Sequence, residues 1–365
     1  MLRHASYCGR RSEKGGVNPP REIVRSLPQP VCALERHGVV SIMGVIQIFA
    51  WGSSYYLLAV LAKPIAVDTG WPLTSVIGGL SLGLLVAGFV SPTVGRAIQK
   101  RGGQAILVGG AVVFALGLVG LAIAPNLSSY FAAWAVLGIG MASGLYDAAF
   151  ATLGRLYGAA ARGTITALTL IAGFSSTICW PLSAVLIEGL GWRKTCLAYA
   201  GLHLVIALPA YLLFLPQSPA VTDEPQLYEG IVAEETRAPQ RPGLFVIVAC
   251  SFMIGAAIRS VMSVHLLSIL QAHGLSLSAA VSLGTLVGPS QIAARLYEVA
   301  IGHRFHPMWT FLTAGCLITV GIALLPLARP AVVFGIILYG GGVGMMTIAR
   351  GTVPLALFHP SGYAT

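Results

Sequence analysis

The sequence predicts an all-α membrane protein with about ten transmembrane helices. Three observations carry that expectation. Of the 365 residues, 56% are hydrophobic and only 9% charged, and mean hydropathy is +0.81, whereas a soluble domain carries about 25% charged residues. The apolar residues come in runs near the ~20 that cross a bilayer as a helix. Those runs are rich in Leu, Ala and Gly. In lipid the backbone must satisfy its own hydrogen bonds, so they read as helices rather than barrel strands.

Residues 1–38 come first and are polar, with seven Lys/Arg against three Glu. They hold no apolar stretch of the kind a signal peptide needs. Two readings stand: a disordered cytoplasmic tail, or a start codon assigned too far upstream.

Six spans follow near 39–62, 74–95, 104–124, 129–153, 163–188 and 194–215, forming an N-terminal half over 39–215. Turn chemistry separates them at Gly70-Trp71-Pro72, Gly102-Gly103 and Pro125-Asn126. Residues 216–243 bring Pro216, Pro219, Pro225, Pro239 and Pro242 together with five acids, a solvated cytoplasmic linker. Four more spans lie near 244–269, 276–299, 308–327 and 331–353. The C-terminal half, 244–365, thus has four helices where the first has six, and the expectation is a half lacking its last two.

Basic residues orient the chain. With the N-terminus inside, cytoplasmic connections hold Arg96, Lys100, Arg101, Arg155, Arg162, Arg237, Arg241 and Arg304. The outside holds Lys63, Arg193, Lys194 and Arg329. Eight against four, before the tail is added, predicts a cytoplasmic N-terminus. The same clustering at span ends explains the net charge of +10 without nucleic acid. Six scattered cysteines without a CxxC pair read as small apolar fillers.

Six helices, a polar linker and more helices suggest a parallel internal repeat. Gly70 opens the second span as Gly274 opens the eighth. Gly138-Ile-Gly140-Met141 matches Gly342-Val-Gly344-Met345, which sets Arg350 opposite Tyr146, Gly351 opposite Asp147 and Gly362 opposite Gly158.

These residues resemble the major facilitator superfamily from Val39 to the end. Gly95-Arg-Ala-Ile-Gln99-Lys100-Arg-Gly102-Gly-Gln104 is similar to that family's loop after span two, with Gln99 in place of an acid and Gly103-Gln104 in place of a basic pair. Trp134 stands where many drug/proton antiporters carry Arg. Tyr157-Gly158, Arg162-Gly163, Ala167, Gly173, Pro181-Leu182 and Gly191-Trp192-Arg193 resemble the monocarboxylate porter and oxalate/formate exchanger branch. The resemblance implies a fold of two six-helix parallel-repeat halves and transport of small organic anions by alternating access. It gives Gln99 and Lys100 a part in gating. It also places on Arg295 the role of an arginine that binds the substrate carboxylate.

An ionisable group in an apolar run is costly and marks a candidate site. Asp147 lies some 18 residues into span four, and Arg350 about as far into span ten. Those spans face each other in the implied architecture, so the pair is a candidate gate or coupling latch; alternatively both reach water by snorkelling. Arg295 has Glu298 at i+3, a spacing that suits a structural ion pair, and its planar fork also suits a carboxylate. Arg259 falls in mid-span, where snorkelling is hardest, and reads as an anion-binding group. Tyr55, its counterpart by the Gly70/Gly274 register, and Trp51 are candidates for the same pocket, or for interfacial anchoring.

His303 and His306 lie in a basic loop unsuited to a metal site, while His203 and His265 read as core histidines. Gly340-Gly-Gly-Val-Gly344 lacks the Lys of a phosphate loop, and with Gly79-xxx-Gly83 reads as close packing. No catalytic constellation, metal cluster or cofactor fingerprint appears, so no enzyme is expected. The expectation is a monomeric secondary transporter in the inner or plasma membrane. Its partners would be the lipid bilayer and a small-molecule substrate of monocarboxylate or dicarboxylate type, with proton coupling or exchange open. Alternatives are efflux of a drug-like solute and a truncated, non-transporting remnant.

Overall fold

The computed structural model describes residues 33–157, 161–216, 242–301, 305–327 and 329–357. Most of the proposed tail and linker lie outside them, as do Arg304, His303, Gly158 and Gly362.

Among the described residues, nine helices are long and apolar enough to cross a bilayer. One of them, Gly163–Phe214, has 52 residues and would run about 78 Å if straight, far more than the ~30 Å of hydrocarbon. Gly191 breaks it, with φ 77° and ψ 166°, a left-handed value that only glycine takes without a Cβ penalty. The run is therefore two passes. The ten are α1 (Arg36–Thr69), α2 (Leu73–Arg101), α3 (Gly103–Ile123), α4 (Leu127–Tyr157), α5 (163–190), α6 (192–214), α7 (Val246–Ala272), α8 (Leu277–Glu298), α9 (Pro307–Leu324) and α10 (Pro330–Arg350).

The repeat is visible in the turns and the packing. Gly70 after α1 and Gly274 after α7 both take left-handed φ, 71° and 79°. The packing nevertheless shifts the α4/α10 register. A Cβ on Gly138 would meet the Gly83 carbonyl of α2 at 2.4 Å, and one on Gly140 would meet Phe114 of α3. In α10 it is Gly340 that faces α8, at Val287 and Ser290, and Gly342 that faces α9, at Ala314 and Ile318. The equivalent pairs are thus Gly138 with Gly340 and Gly140 with Gly342, two residues from the Gly-x-Gly-Met match. Two residues are about 200° of helix, so neighbours decide the register where a short glycine pattern misleads. Ala349 becomes the counterpart of Asp147, and Ala148 that of Arg350.

Trp134 fills the groove that Gly79 and Gly83 leave on α2. A Cβ on Gly79 would lie 2.3 Å from its ring, and Trp134 is 0% exposed. At the end of the bundle bearing Lys100, Arg101 and Arg155, here the basic end, side chains cap helices of the first half. Arg155 donates to the Ile98 and Gln99 carbonyls that end α2. Gln104 Nε2 donates to the Tyr211, Leu212 and Leu215 carbonyls that end α6. At the opposite end Trp192 Nε1 donates to Asp68 at 2.9 Å, Arg193 pairs with Asp68 at 3.7 Å, and its guanidinium stacks on Trp192.

The halves differ in how their first helices are covered. In α1, 72% of the apolar window is buried; in its repeat partner α7 the figure is 11%. Around α1, that cover includes α5 through Ile171 and Cys179 and α6 through His203, which bonds Ser53 at 2.8 Å and stacks on Phe114 of α3.

The two halves meet unevenly. Toward the end away from the basic cluster, one apolar core joins Leu61 and Ile65 of α1 and Trp180 of α5 to Leu267 and Leu270 of α7 and Val281 of α8. Lys63 Nζ donates to Gln271 Oε1 there, at 2.8 Å. Among the described residues, the buried core at the basic end draws on the first half, from Val40, Ile98, Leu107, Leu153 and Tyr211 among others. The apolar core that joins the halves thus lies toward the opposite end.

Candidate functional site

Four helices that face the opposite half are interrupted near mid-depth: α1 at 53–56, α4 at Leu145, α5 at 173–174 and α8 at 285–286. Interrupted helices expose backbone groups that lipid cannot satisfy, so they occur where protein or a cavity lines them. Side chains take several of these carbonyls. Ser54 Oγ donates to Ala50 at 2.6 Å, Gln47 Nε2 to Gly144 at 2.7 Å, and Thr177 Oγ1 of α5 to Thr285 of α8 at 2.9 Å. The last of these crosses between the halves.

Arg295 of α8 sits at the same seam. It is 2% exposed and donates to the Thr169 carbonyl of α5, to Gln291 at 3.3 Å and to Thr347 of α10 at 3.4 Å. Its Nε is buried without a partner. Glu298 accepts from Thr310 of α9 instead, so among the described residues the hydrogen-bond partners of this guanidinium are neutral. A buried charge held only by neutral acceptors has paid much of its desolvation cost and retains a strong pull on an anion.

Arg259 of α7 is half-buried and lies among the hydroxyls of Tyr55, Tyr56 and Tyr339, with Nε unpartnered. Tyr56 and Tyr146 lie within electrostatic reach of both arginines. Trp51, Tyr55, Tyr56, Tyr146 and Trp180 form a continuous aromatic cluster. Trp51 meets Tyr55 edge-on at 5.2 Å and Tyr146 at 4.8 Å, and Tyr56 meets Trp180 at 5.7 Å. Tyr55 OH also bonds Ser260 of α7 at 3.1 Å. The indole nitrogens of Trp51 and Trp180 are buried without partners. Four unfilled N–H groups, two of them on arginines, make the centre a donor-rich surface that suits an acceptor-rich ligand.

Asp147 of α4 and Arg350 of α10 stand 3.7 Å apart across the halves at the basic end, with side chains 64% and 60% exposed. Asp147 begins a new helical turn just after the break at Leu145, which turns it toward the other half. Arg350 also lines a cavity of about 230 Å³ with Arg259, Phe252, Met253, Val343 and Met346. That cavity lies between α7, α9 and α10. The corresponding space among α1, α3 and α4 is filled by α5 and α6. Gln99 and Lys100 are exposed at the end of α2, and Gln99 contributes its carbonyl to Arg155. Among the described residues no group of three or more His, Cys, Asp or Glu could hold a metal ion.

Sequence reasoning did not single out Gln47, Tyr146, Thr169, Trp180, Gln291 or Tyr339. A polar Gln47 in an apolar run was the readable signal. The others touch the site through interruptions that no local pattern announces.

A family description, Major Facilitator Superfamily, matches residues 42–365. No curated protein matches the sequence. Among solved structures, the nucleoside transporter NupG has a TM-score of 0.70 at 14% identity, over 90% of this chain and 84% of that one. A bacterial homolog of the human lysosomal transporter Spinster, inward-facing and occupied, has a TM-score of 0.63 at 14% identity over 91% and 77%. A D-xylose-proton symporter has 0.60 at 14% identity over 86% and 80%. At these identities the likeness concerns the fold.

Proposed function

The chain belongs to the major facilitator superfamily and is a multi-pass membrane transporter, and we propose that its cargo is a small organic anion moved by alternating access. The observation that carries the anion reading is Arg295, a buried guanidinium held by the neutral groups of Thr169, Gln291 and Thr347. Arg259 supports it from the neighbouring helix, with the hydroxyls of Tyr55, Tyr56 and Tyr339 near its charge. A carboxylate bridging toward these groups gains charge-assisted hydrogen bonds of about 1.5–3 kcal/mol each. A neutral oxygen can accept from the same guanidinium groups but brings no opposite charge to pair with them.

In this proposal residues 39–215 and 244–365 work as the two rocking halves, and the monocarboxylate and oxalate/formate branch supplies the substrate type. The basic end lies in the cytoplasm of a cell with the protein in its inner or plasma membrane, as the Lys/Arg distribution favours. The apolar core that joins the halves toward the opposite end then favours an inward-facing state. Trp51 and Tyr55 line the site, and Asp147 with Arg350 forms the gate. The protein acts as a monomer.

Purified protein in proteoliposomes, loaded and unloaded with a panel of labelled carboxylates and neutral sugars, tests the reading. Saturable uptake of a carboxylate, lost in Arg295→Gln, is expected. Uptake of the neutral solutes alone would overturn the anion assignment and leave the family assignment intact.

A further inference from the structure

His203 of α6 is 2% exposed and stands outside the site described above. Its Nε2 lies 2.8 Å from Ser53 Oγ, at the first residue of the α1 interruption. Its ring stacks on Phe114 of α3, with 4.7 Å between centroids and 6° between planes. Phe114 in turn fits the notch that two glycines leave in α4. A Cβ on Gly144 would lie 2.7 Å from that ring, and one on Gly140 3.2 Å. The Gly144 carbonyl accepts from Gln47 Nε2 at 2.7 Å, which returns the path to α1. Ser53, His203, Phe114, Gly144 and Gln47 therefore close a ring through four helices of the first half. The breaks in α1 and α4 both lie on it. The same stretch of α6 departs from regular geometry, with a π turn over His203–Ala207. Leu204, Val205 and Ile206 of that turn are exposed, while His203 and Ala207 are buried. Such turns are rare and frequently mark functional sites.

We infer that His203 is a positioning residue, which through this ring fixes the two breaks from which Tyr55 and Tyr146 reach the second half. Tyr55 follows Ser53 by two residues, and its hydroxyl bonds Ser260 of α7 at 3.1 Å. Tyr146 follows Gly144 by two residues and lies within reach of Arg295 of α8. Backbone groups freed by a break in a membrane helix are satisfied by neighbouring helices and by hydroxyl side chains. Ser53 and Ser54 do this for the Ala50 carbonyl, at 3.4 and 2.6 Å, and His203 holds Ser53 from behind. The imidazole touches no cargo and acts on the site through Ser53 and Phe114. Its effect on transport rests on the anion reading above; its hold on the two breaks does not.

Hydrogen exchange of the purified full chain in nanodiscs, read by mass spectrometry, tests the hold without any cargo. His203→Phe keeps the aromatic stack and loses the bond, and Ser53→Ala loses it from the other side. Each should speed exchange across residues 54–58 and 145–149 by about fivefold, the net worth of one hydrogen bond. The double variant should be no faster than either single one. His203→Gln carries an amide that reaches the Nε2 position and can donate or accept, so it should exchange as the parent does. His203→Asn is one methylene shorter and should behave as His203→Phe. Parent-like exchange in Ser53→Ala, additive effects in the double variant, or no rescue by His203→Gln overturns the positioning role. A change confined to 54–58 overturns the hold on Tyr146. In proteoliposomes with labelled lactate and succinate, His203→Phe should raise the half-saturating concentration about fivefold with the maximal rate kept, and His203→Gln should restore it. A fall in maximal rate alone, as from a smaller folded fraction, overturns the link to the site. If the parent takes up neither probe, the anion reading fails, and exchange still decides the hold on the breaks.

Discussion

Gln47 Nε2 of α1 lies 2.7 Å from the carbonyl oxygen of Gly144, where α4 breaks. The bond is buried and joins two interrupted helices of the first half immediately behind the aromatic cluster. It holds the turn from which Tyr146 and Asp147 project. Replacing Gln47 by Leu leaves that carbonyl unsatisfied, at a cost of about 1–3 kcal/mol. The melting temperature of the detergent-solubilised protein should fall accordingly. Gln47→Glu should be no better, because a carboxylate cannot donate. If both variants melt with the parent, the break in α4 is held by something else.

Arg259 and Arg295 should separate in their effects. Arg259→Gln removes a guanidinium whose Nε is unpartnered and whose neighbours are tyrosine hydroxyls, so anion affinity should drop by about tenfold or more with a smaller change in stability than at Arg295. Arg295→Gln removes the donor to Thr169 and the bonds to Gln291 and Thr347, so it should lower both affinity and melting temperature. Parallel calorimetry and thermal unfolding of the two variants check the contrast. A loss of stability confined to Arg259→Gln would reverse the assignments.

Charge reversal probes the gate. Asp147→Arg and Arg350→Asp each place like charges about 4 Å apart and should slow transport several-fold. The double variant restores an attractive pair and should recover most of the rate in a proteoliposome flux assay. No recovery in the double variant would show that the two residues act separately.

The end away from the basic cluster can be locked. Lys63 and Gln271 touch across the halves at 2.8 Å, so cysteines at both positions, in a background lacking Cys8, Cys32, Cys250 and Cys316, should be joined by a short bifunctional thiol reagent. Transport should stop on cross-linking and should continue in either single-cysteine variant. Undiminished flux in the cross-linked protein would mean that this end need not open.

Much of the architecture was legible because bilayer thickness sets helix length and charge placement marks helix ends. The pass boundaries at Gly70, Gly191 and Gly274 could be found for the same reason: each needs a backbone that other residues avoid. Asp147 and Arg350 could be read as partners because charge in an apolar run is rare and their depths agree. The rest depends on contacts between distant segments. The α4/α10 register came out two residues from the Gly-x-Gly-Met match, since a glycine shows that something lies close but does not identify it. Arg295 was read beside Glu298, three residues away, yet it bonds Thr169, 126 residues away. Tyr146 comes within reach of both arginines just after the break in α4, which no local pattern announces.

Gly191 also decides a matter of parity. The number of times a chain crosses a bilayer, odd or even, settles on which face each later loop emerges. The apolar stretch Gly163–Phe214 is too long for one crossing, and the turn at Gly191, φ 77°, is where it becomes two. That even count returns the chain to the face from which α5 set out. It is why Arg350, at the end of α10, emerges on the same face as Asp147, with which it pairs.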